Sequence, residues 1–190
     1  MEESFEVKIV LLGDSGVGKT SLLQTFSCGE FGGQEVTVNP DFYSGRTKLE
    51  GTEVKFQIWD TAGQERFSSL SKVYYRNSDC CVFVYDITNE KTYLSKEFWI
   101  GEFEEMNQGR NPPVVVLGNK SDLASKRKVS LLEENFETSV KNQTELSEVF
   151  QKIIQKALEN ALERKSNGFR LSREVIDLPC KKSNCCFLNY

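Results

Sequence analysis

Short apolar runs alternate along this chain with stretches whose apolar positions recur at helical spacing. Val7–Leu12, Asp41–Leu49, Val54–Trp59, Cys80–Tyr85 and Val114–Leu117 read as strands, and Ser21–Phe26 as a helix following the first of them. Val54, Phe56 and Ile58 alternate with Lys55 and Gln57, the period of a strand covered on one face. The turn Glu50-Gly51-Thr52 joins the second and third runs and predicts an antiparallel hairpin. Cys80–Tyr85 and Val114–Leu117 are apolar throughout, as central parallel strands require. Leu146, Val149, Phe150, Ile153, Ile154, Ala157, Leu158, Ala161 and Leu162 mark one face of a long final helix. The alternation predicts an α/β fold, a mostly parallel sheet with helices on its faces. Beyond about Ser166 the periodicity gives way to Ser, Asn, Gly and charge, which predicts a folded domain over 1–165 and a flexible tail over 166–190.

Charge changes this picture at the tail. The whole chain carries −4, but from Arg164 onward six basic residues face two acids, giving that end +4 and leaving −8 on the rest. An acidic body argues against a nucleic-acid binder, and a basic tail is suited to anionic lipid. The start, Met1-Glu2-Glu3-Ser4-Phe5-Glu6, is acidic and predicts no secretory signal. Of six cysteines, Cys80 and Cys81 lie inside an apolar run and Cys180, Cys185 and Cys186 crowd the end, a spacing that predicts a reducing compartment rather than a disulfide framework. Histidine is absent, so no imidazole base is available and Ser-His-Asp or Cys-His chemistry is excluded.

Gly13-Asp14-Ser15-Gly16-Val17-Gly18-Lys19-Thr20 follows a strand and opens a helix at Ser21, the context a phosphate-binding P-loop needs. Its glycines allow backbone N–H groups to converge, and the helix adds the positive end of its dipole. Lys19 has the reach for phosphate oxygens, and the Thr20 hydroxyl suits Mg²⁺. About a hundred residues on, Asn119-Lys120-Ser121-Asp122 follows a buried strand. The Asp122 carboxylate can accept two hydrogen bonds from the N1–H and N2–H₂ edge of guanine. Adenine lacks that donor pair and would leave the acid unpaired.

With these segments, the chain resembles the Ras superfamily of small GTPases over about residues 7–164, and within it the Rab branch. Trp59-Asp60-Thr61-Ala62-Gly63-Gln64-Glu65-Arg66-Phe67 is similar to the second switch of that superfamily. Lys55-Phe56-Gln57-Ile58-Trp59, Tyr74-Tyr75-Arg76 and Val84-Tyr85-Asp86-Ile87-Thr88 resemble Rab hallmarks, and Asp79-Cys80-Cys81-Val82 resembles the late-endosomal Rab subfamily. The resemblance implies a three-layer P-loop G domain with one antiparallel strand, GTP hydrolysis, and a switch in vesicle traffic at the cytoplasmic face of endomembranes. It implies catalytic roles for Lys19 and for Gln64, which would orient the attacking water. Mg²⁺ would be held by Thr20, Thr37 and Asp60. Gly63 would contact the γ-phosphate, Phe31 would stack on guanine, and Ser139-Val140-Lys141 would form the second base-binding loop. Phe42, Trp59 and Tyr74 would form an exposed aromatic triad that effectors read, and Cys185 and Cys186 would be prenylated. The implied partners are an exchange factor, a GTPase-activating protein, effectors, prenylation machinery, a membrane-extracting chaperone and the membrane itself.

Three departures from the family pattern stand out. Pro40 in Val36-Thr37-Val38-Asn39-Pro40-Asp41-Phe42 removes an N–H and biases Asn39 toward extended backbone. The step from Asp122 to Glu137 is 15 residues, roughly ten short of the family's usual span and near the minimum of about 10–12 for a crossover with its helix. That shortening predicts only a turn or two of helix at Val129–Glu134, one sheet face partly uncovered, and a loosely held loop at Ser139–Lys141, where Val140 replaces the usual alanine and would crowd the guanine. Finally, four residues follow Cys186, so the ending is not a C-a-a-X box. A non-cycling relative that serves as an interaction module is the main rival reading, and a metabolic P-loop kinase a distant third.

Overall fold

The computed structural model describes residues 4–28, 41–49, 51–61, 68–131 and 134–166, with backbone alone at residues 28, 41, 68–71 and 166. Among them the chain runs β1 (Ser4–Leu12), α1 (Lys19–Cys28), β2 (Asp41–Leu49), β3 (Thr52–Asp60), α2 (Ser68–Tyr75), β4 (Cys80–Asp86), α3 (Glu90–Leu94), α4 (Lys96–Met106), β5 (Val114–Asn119), β6 (Phe136–Glu137) and α5 (Gln143–Ser166). A six-stranded sheet has the order β2-β3-β1-β4-β5-β6. β2 and β3 pair antiparallel, and the other neighbours pair in parallel. The expected hairpin and parallel centre are both present. β2 spans the expected Asp41–Leu49, whereas β1, β3, β4 and β5 run a few residues past their apolar cores, because backbone pairing continues where the side chains turn polar.

Alternation along each strand sorts the core into two layers. On one face Val7, Ile9 and Leu11 of β1, Val54, Phe56 and Ile58 of β3, and Val82 and Val84 of β4 pack under α1 and α5. The other face carries Val10, Leu12, Cys81, Phe83 and Tyr85 beneath Tyr75, Trp99 and Phe103. Every residue of β4 is buried, as its unbroken apolar run requires.

The long helix α5 is fixed at both ends. At its start the Asn142 side chain accepts from the Glu145 backbone N–H (3.3 Å) and donates to the Glu145 carboxylate (3.0 Å), a reciprocal cap. Near its end Asn160 donates to the Asp79 carbonyl (2.9 Å), and Arg164 pairs with the buried Asp79 carboxylate, which also accepts from the Lys8 N–H (2.8 Å).

The crossover from β5 to β6 is the irregular part. Its helical turns lie at Ser121–Lys126, as two short 3₁₀ turns kinked at Leu123 just after β5. Of the expected turn or two of helix at Val129–Glu134, the described residues show none. Residues 129–131 and 134 are non-helical, and the Lys128 and Val129 N–H groups donate to the Ile87 carbonyl (2.8 and 3.2 Å). The partly uncovered sheet face is observed. Val115 and Leu117 are buried beneath α5, whereas Val114 and Val116 on the opposite face are half-buried. A fork of ionic hydrogen bonds braces the gap, the two guanidinium nitrogens of Arg127 meeting the two oxygens of Glu137 at 2.6 Å each.

This fork spans groups that still reach solvent (25% and 14% exposed), so its contribution is modest. Arg127→Ala is expected to lower unfolding stability by about 1 kcal/mol. Arg127→Lys should recover only part of it, because an ammonium cannot match both oxygens. Urea denaturation of the two variants checks this, and a midpoint equal to that of the unchanged protein would show the brace to be idle.

Candidate nucleotide-binding site

The P-loop is built where β1 stops and α1 begins, with Gly13, Gly16 and Gly18 at φ 135°, 79° and 98°. Two of these glycines are required by close approach as well as by φ. A Cβ on Gly13 would lie 2.1 Å from the Val84 carbonyl oxygen, and one on Gly18 would lie 2.4 Å from Asn119 Nδ2. Ser15 and Gly16 are exposed at the mouth of the loop, while Val17 drops into the core under α1 and α5. Ser21 is buried in the first turn of α1.

Lys19 is buried beside the loop it serves. Its Nζ donates to the carbonyls of Gly13 (2.7 Å) and Asp14 (3.1 Å). Burial pulls its pKa down to about 8, against the opposing pull of Asp60 and Asp14. The Thr20 hydroxyl donates to Asp60 Oδ2 at 2.5 Å. A hydroxyl and a buried carboxylate thus meet at the head of the P-loop, a pair of hard oxygen donors that fits Mg²⁺, which takes few protein ligands beside phosphate and water. Asp14 has a partner that the sequence did not disclose, since Trp99 Nε1 of α4 donates to its Oδ1 at 2.7 Å.

The second half of the site comes from the ends of β5 and β6. Asn119 donates from Nδ2 to the Val17 carbonyl (2.8 Å) and accepts the Lys120 N–H on its own oxygen (2.7 Å). Lys120 takes the left-handed conformation, φ 70°, and its Nζ reaches the Gly16 carbonyl at 3.1 Å. The Asp122 carboxylate is held between Ser139 Oγ and Lys141 Nζ, each 2.6 Å away.

The loop at Ser139–Lys141 differs from the expectation of a loose hold. Thr138 and Ser139 are buried, the Thr138 N–H donates to the Gly118 carbonyl (2.9 Å), and the Lys141 N–H donates to Ser139 Oγ (3.1 Å). The Val140 side chain is half-buried and packs against the core on the α1 and α5 side. Strand pairing and the Asp122 hydrogen bond do the holding, and neither needs a crossover helix.

Phe42, Trp59 and Tyr74 are brought together. Phe42 stacks on Trp59 with centroids 4.7 Å apart, and Trp59 meets Tyr74 at 5.1 Å. The group is half-buried rather than fully exposed, because Phe42 and Trp59 are register partners on β2 and β3 and cover one another. Phe31, Thr37, Gly63, Gln64, Cys185 and Cys186 lie outside the described residues.

The Lys141 ammonium and the Ser139 hydroxyl hold the Asp122 carboxyl below the ordinary carboxylate range. The acceptor for a guanine edge therefore stays ionised until pH falls through that lowered value. Lys141→Ala removes the larger cause, so Asp122 should protonate at higher pH and GDP binding should fail earlier on acidification. Calorimetric titrations from neutral pH downward check this; superimposable acid limbs for the two proteins would remove Lys141 from the account.

A family model described as "Ras family" matches residues 8–159. "Ras-related protein Rab-7b" and "Ras-related protein Rab-7a" of Paramecium octaurelia are each 39% identical to this chain over 197 aligned positions, covering 94% of it and 96% of the relative. "Ypt/Rab-type GTPase avaA" of Emericella nidulans is 39% identical over 168 positions, covering 80% of this chain and 82% of its own. Motif, topology and overall similarity agree, and the chain belongs to the Rab family of Ras-superfamily small GTPases.

Proposed function

We propose that this protein binds GTP and GDP with Mg²⁺, hydrolyses GTP slowly on its own, and serves as a switch in vesicle-mediated membrane traffic. The observation that carries this reading is the hydrogen bond from Asn119 Nδ2 to the Val17 carbonyl, which joins the base-reading segment to the phosphate loop across 102 residues. Phosphate and guanine recognition thus share one rigid corner of the sheet.

In this reading the glycine-bounded loop turns backbone N–H groups toward the phosphates, and Lys19 moves from the Gly13 and Asp14 carbonyls to phosphate oxygen. Thr20 and Asp60, with Thr37, hold the Mg²⁺, which when bound neutralises charge on the phosphate oxygens. Gln64 orients the attacking water, and Gly63 donates to the γ-phosphate. Asp122, held by Ser139 and Lys141, reads the guanine edge. Positioning and fixed charge supply most of the catalysis, which needs no histidine. A GTPase-activating protein would add the missing arginine, and an exchange factor would reload the site.

The triad of Phe42, Trp59 and Tyr74 offers effectors a half-exposed aromatic surface beside the second switch. No helix among the described residues is long and apolar enough to cross a membrane. Attachment in this reading falls to the 166–190 tail, with geranylgeranyl groups on Cys185 and Cys186, since two chains anchor stably where one is marginal. The non-cycling alternative drew its support from the shortened crossover, but Ser139 and Lys141 still meet Asp122 without a full helix there.

Nucleotide-free protein titrated with GDP, GTP and ADP in Mg²⁺ should bind the first two tightly and give no ADP signal. Gln64→Leu should slow single-turnover hydrolysis by roughly tenfold or more and leave GTP affinity nearly unchanged. Unaltered turnover would displace Gln64 from its role, and a folded protein indifferent to guanine nucleotides would favour the non-cycling module.

A further inference from the structure

Asp86 closes β4 at the edge of the nucleotide site, and its two oxygens are divided between two partners. Oδ1 accepts from both the Thr88 N–H (2.8 Å) and the Thr88 hydroxyl (2.7 Å). Oδ2 lies 2.7 Å from Lys120 Nζ, which also donates to the Gly16 carbonyl of the P-loop at 3.1 Å. We propose that Asp86 is a positioning residue for the nucleotide pocket: held by Thr88, it aims Lys120 at the P-loop and thereby sets how long guanine nucleotide is retained. The proposal rests on the guanine-nucleotide reading above.

Asp86 is the fixed member of this pair and Lys120 the adaptable one. The Asp86 backbone is held on both sides, its N–H donating to Thr92 Oγ1 (3.0 Å) and its carbonyl accepting from Asn89 (2.9 Å). The carboxylate is 10% exposed, whereas the lysine side chain is 28% exposed. Burial pushes the Asp86 carboxyl up, but the hydrogen bonds from Lys120 and Thr88 outweigh it and hold the group below the ordinary range. The charge therefore persists, and a buried carboxylate that loses its cation is left uncompensated. A lysine has a long, freely rotating stem, so without Asp86 its ammonium would keep one carbonyl and otherwise exchange with water.

The geometry of Lys120 points the same way. A non-glycine residue in the left-handed region persists only where its surroundings over-determine it. Here the Asn119 side chain holds the Lys120 N–H and Asp86 holds its far end. The run Thr88–Asp86–Lys120–Gly16 links the loops after β4, β5 and β1, the three strand ends that frame the site.

Release of a fluorescent GDP from the full chain in Mg²⁺ tests this. Asp86→Asn and Lys120→Met should each speed release about tenfold, and the double variant should be no faster than the faster single one, because both remove the same contact. The preference for GDP over IDP should stay unchanged, since the base edge is read at Asp122. An unchanged rate in Asp86→Asn, multiplying effects in the double variant, or an altered GDP-to-IDP ratio would each overturn the proposal. Should Asp86→Asn not fold, judged by circular dichroism, Thr88→Val replaces it with the same expected direction, and an unchanged rate there overturns the proposal equally. Failure of the unmodified protein to bind GDP would instead overturn the guanine reading, and this proposal with it.

Discussion

The amide side chain of Asn119 sits where β1, β4 and β5 end together, and both of its polar atoms are engaged. Nδ2 donates to the Val17 carbonyl and Oδ1 accepts the Lys120 N–H, while the backbone carbonyl of the same residue accepts from Ile87 at 3.2 Å. Three loops are thereby tied to one almost fully buried residue. An amide so far from water costs about 1–3 kcal/mol for each group left unpaired, so its partners cannot drift independently. The close approach of Gly18 to this amide fixes the curvature of the P-loop, and Gly13 against Val84 fixes its root. Phosphate binding thus depends on the register of β4 against β5, in which Asp86 lies opposite Asn119.

That dependence explains how the site withstands a shortened crossover. The base-side loop hangs from β6 pairing, from the Thr138 bond to Gly118 and from the Ser139 hydroxyl on Asp122. The first two reach the end of β5 and the third reaches Asp122 in the short turns just after it, so none relies on residues 129–134. The loss is felt on the sheet face instead. Val114 and Val116 remain half-buried, Leu131 is 68% exposed, and cover is shared between Val129, the Tyr93 ring against Tyr85 and the Arg127–Glu137 fork. Stability and recognition are separated in space, so the first can be reduced without dismantling the second.

The opposite end of the sheet has its own polar centre at Asp79, which receives the Lys8 backbone and the last turns of α5. Lys8 connects this centre to the aromatic group, its Nζ lying 5.1 Å from the Trp59 ring centroid and 2.8 Å from the Arg76 carbonyl. The same carboxylate thus ties the last turns of α5 to β1.

Much of this was legible in the sequence, because it rests on local chemistry. Alternation in Val54–Trp59 and the unbroken run of Cys80–Tyr85 specify which strands are covered on one face or two, and period alone carries that information. The P-loop declares itself because glycine, lysine and threonine at fixed spacing do their work within eight consecutive residues. Other features were decided only by the tertiary structure. The helical turns of the crossover lie at Ser121–Lys126, and Lys128 and Val129 are held to the Ile87 carbonyl, a partner some forty positions away in the chain. Val140 packs half-buried against the core, and Trp99 met Asp14 across 85 residues. Asp86 met Lys120 in the same way, although a carboxylate at a strand end carries no local mark of its partner. Backbone period and contiguous motifs are properties of neighbouring residues, which a sequence records directly. Pairings between strand ends depend on sheet order and register, which exist only once the chain has closed on itself.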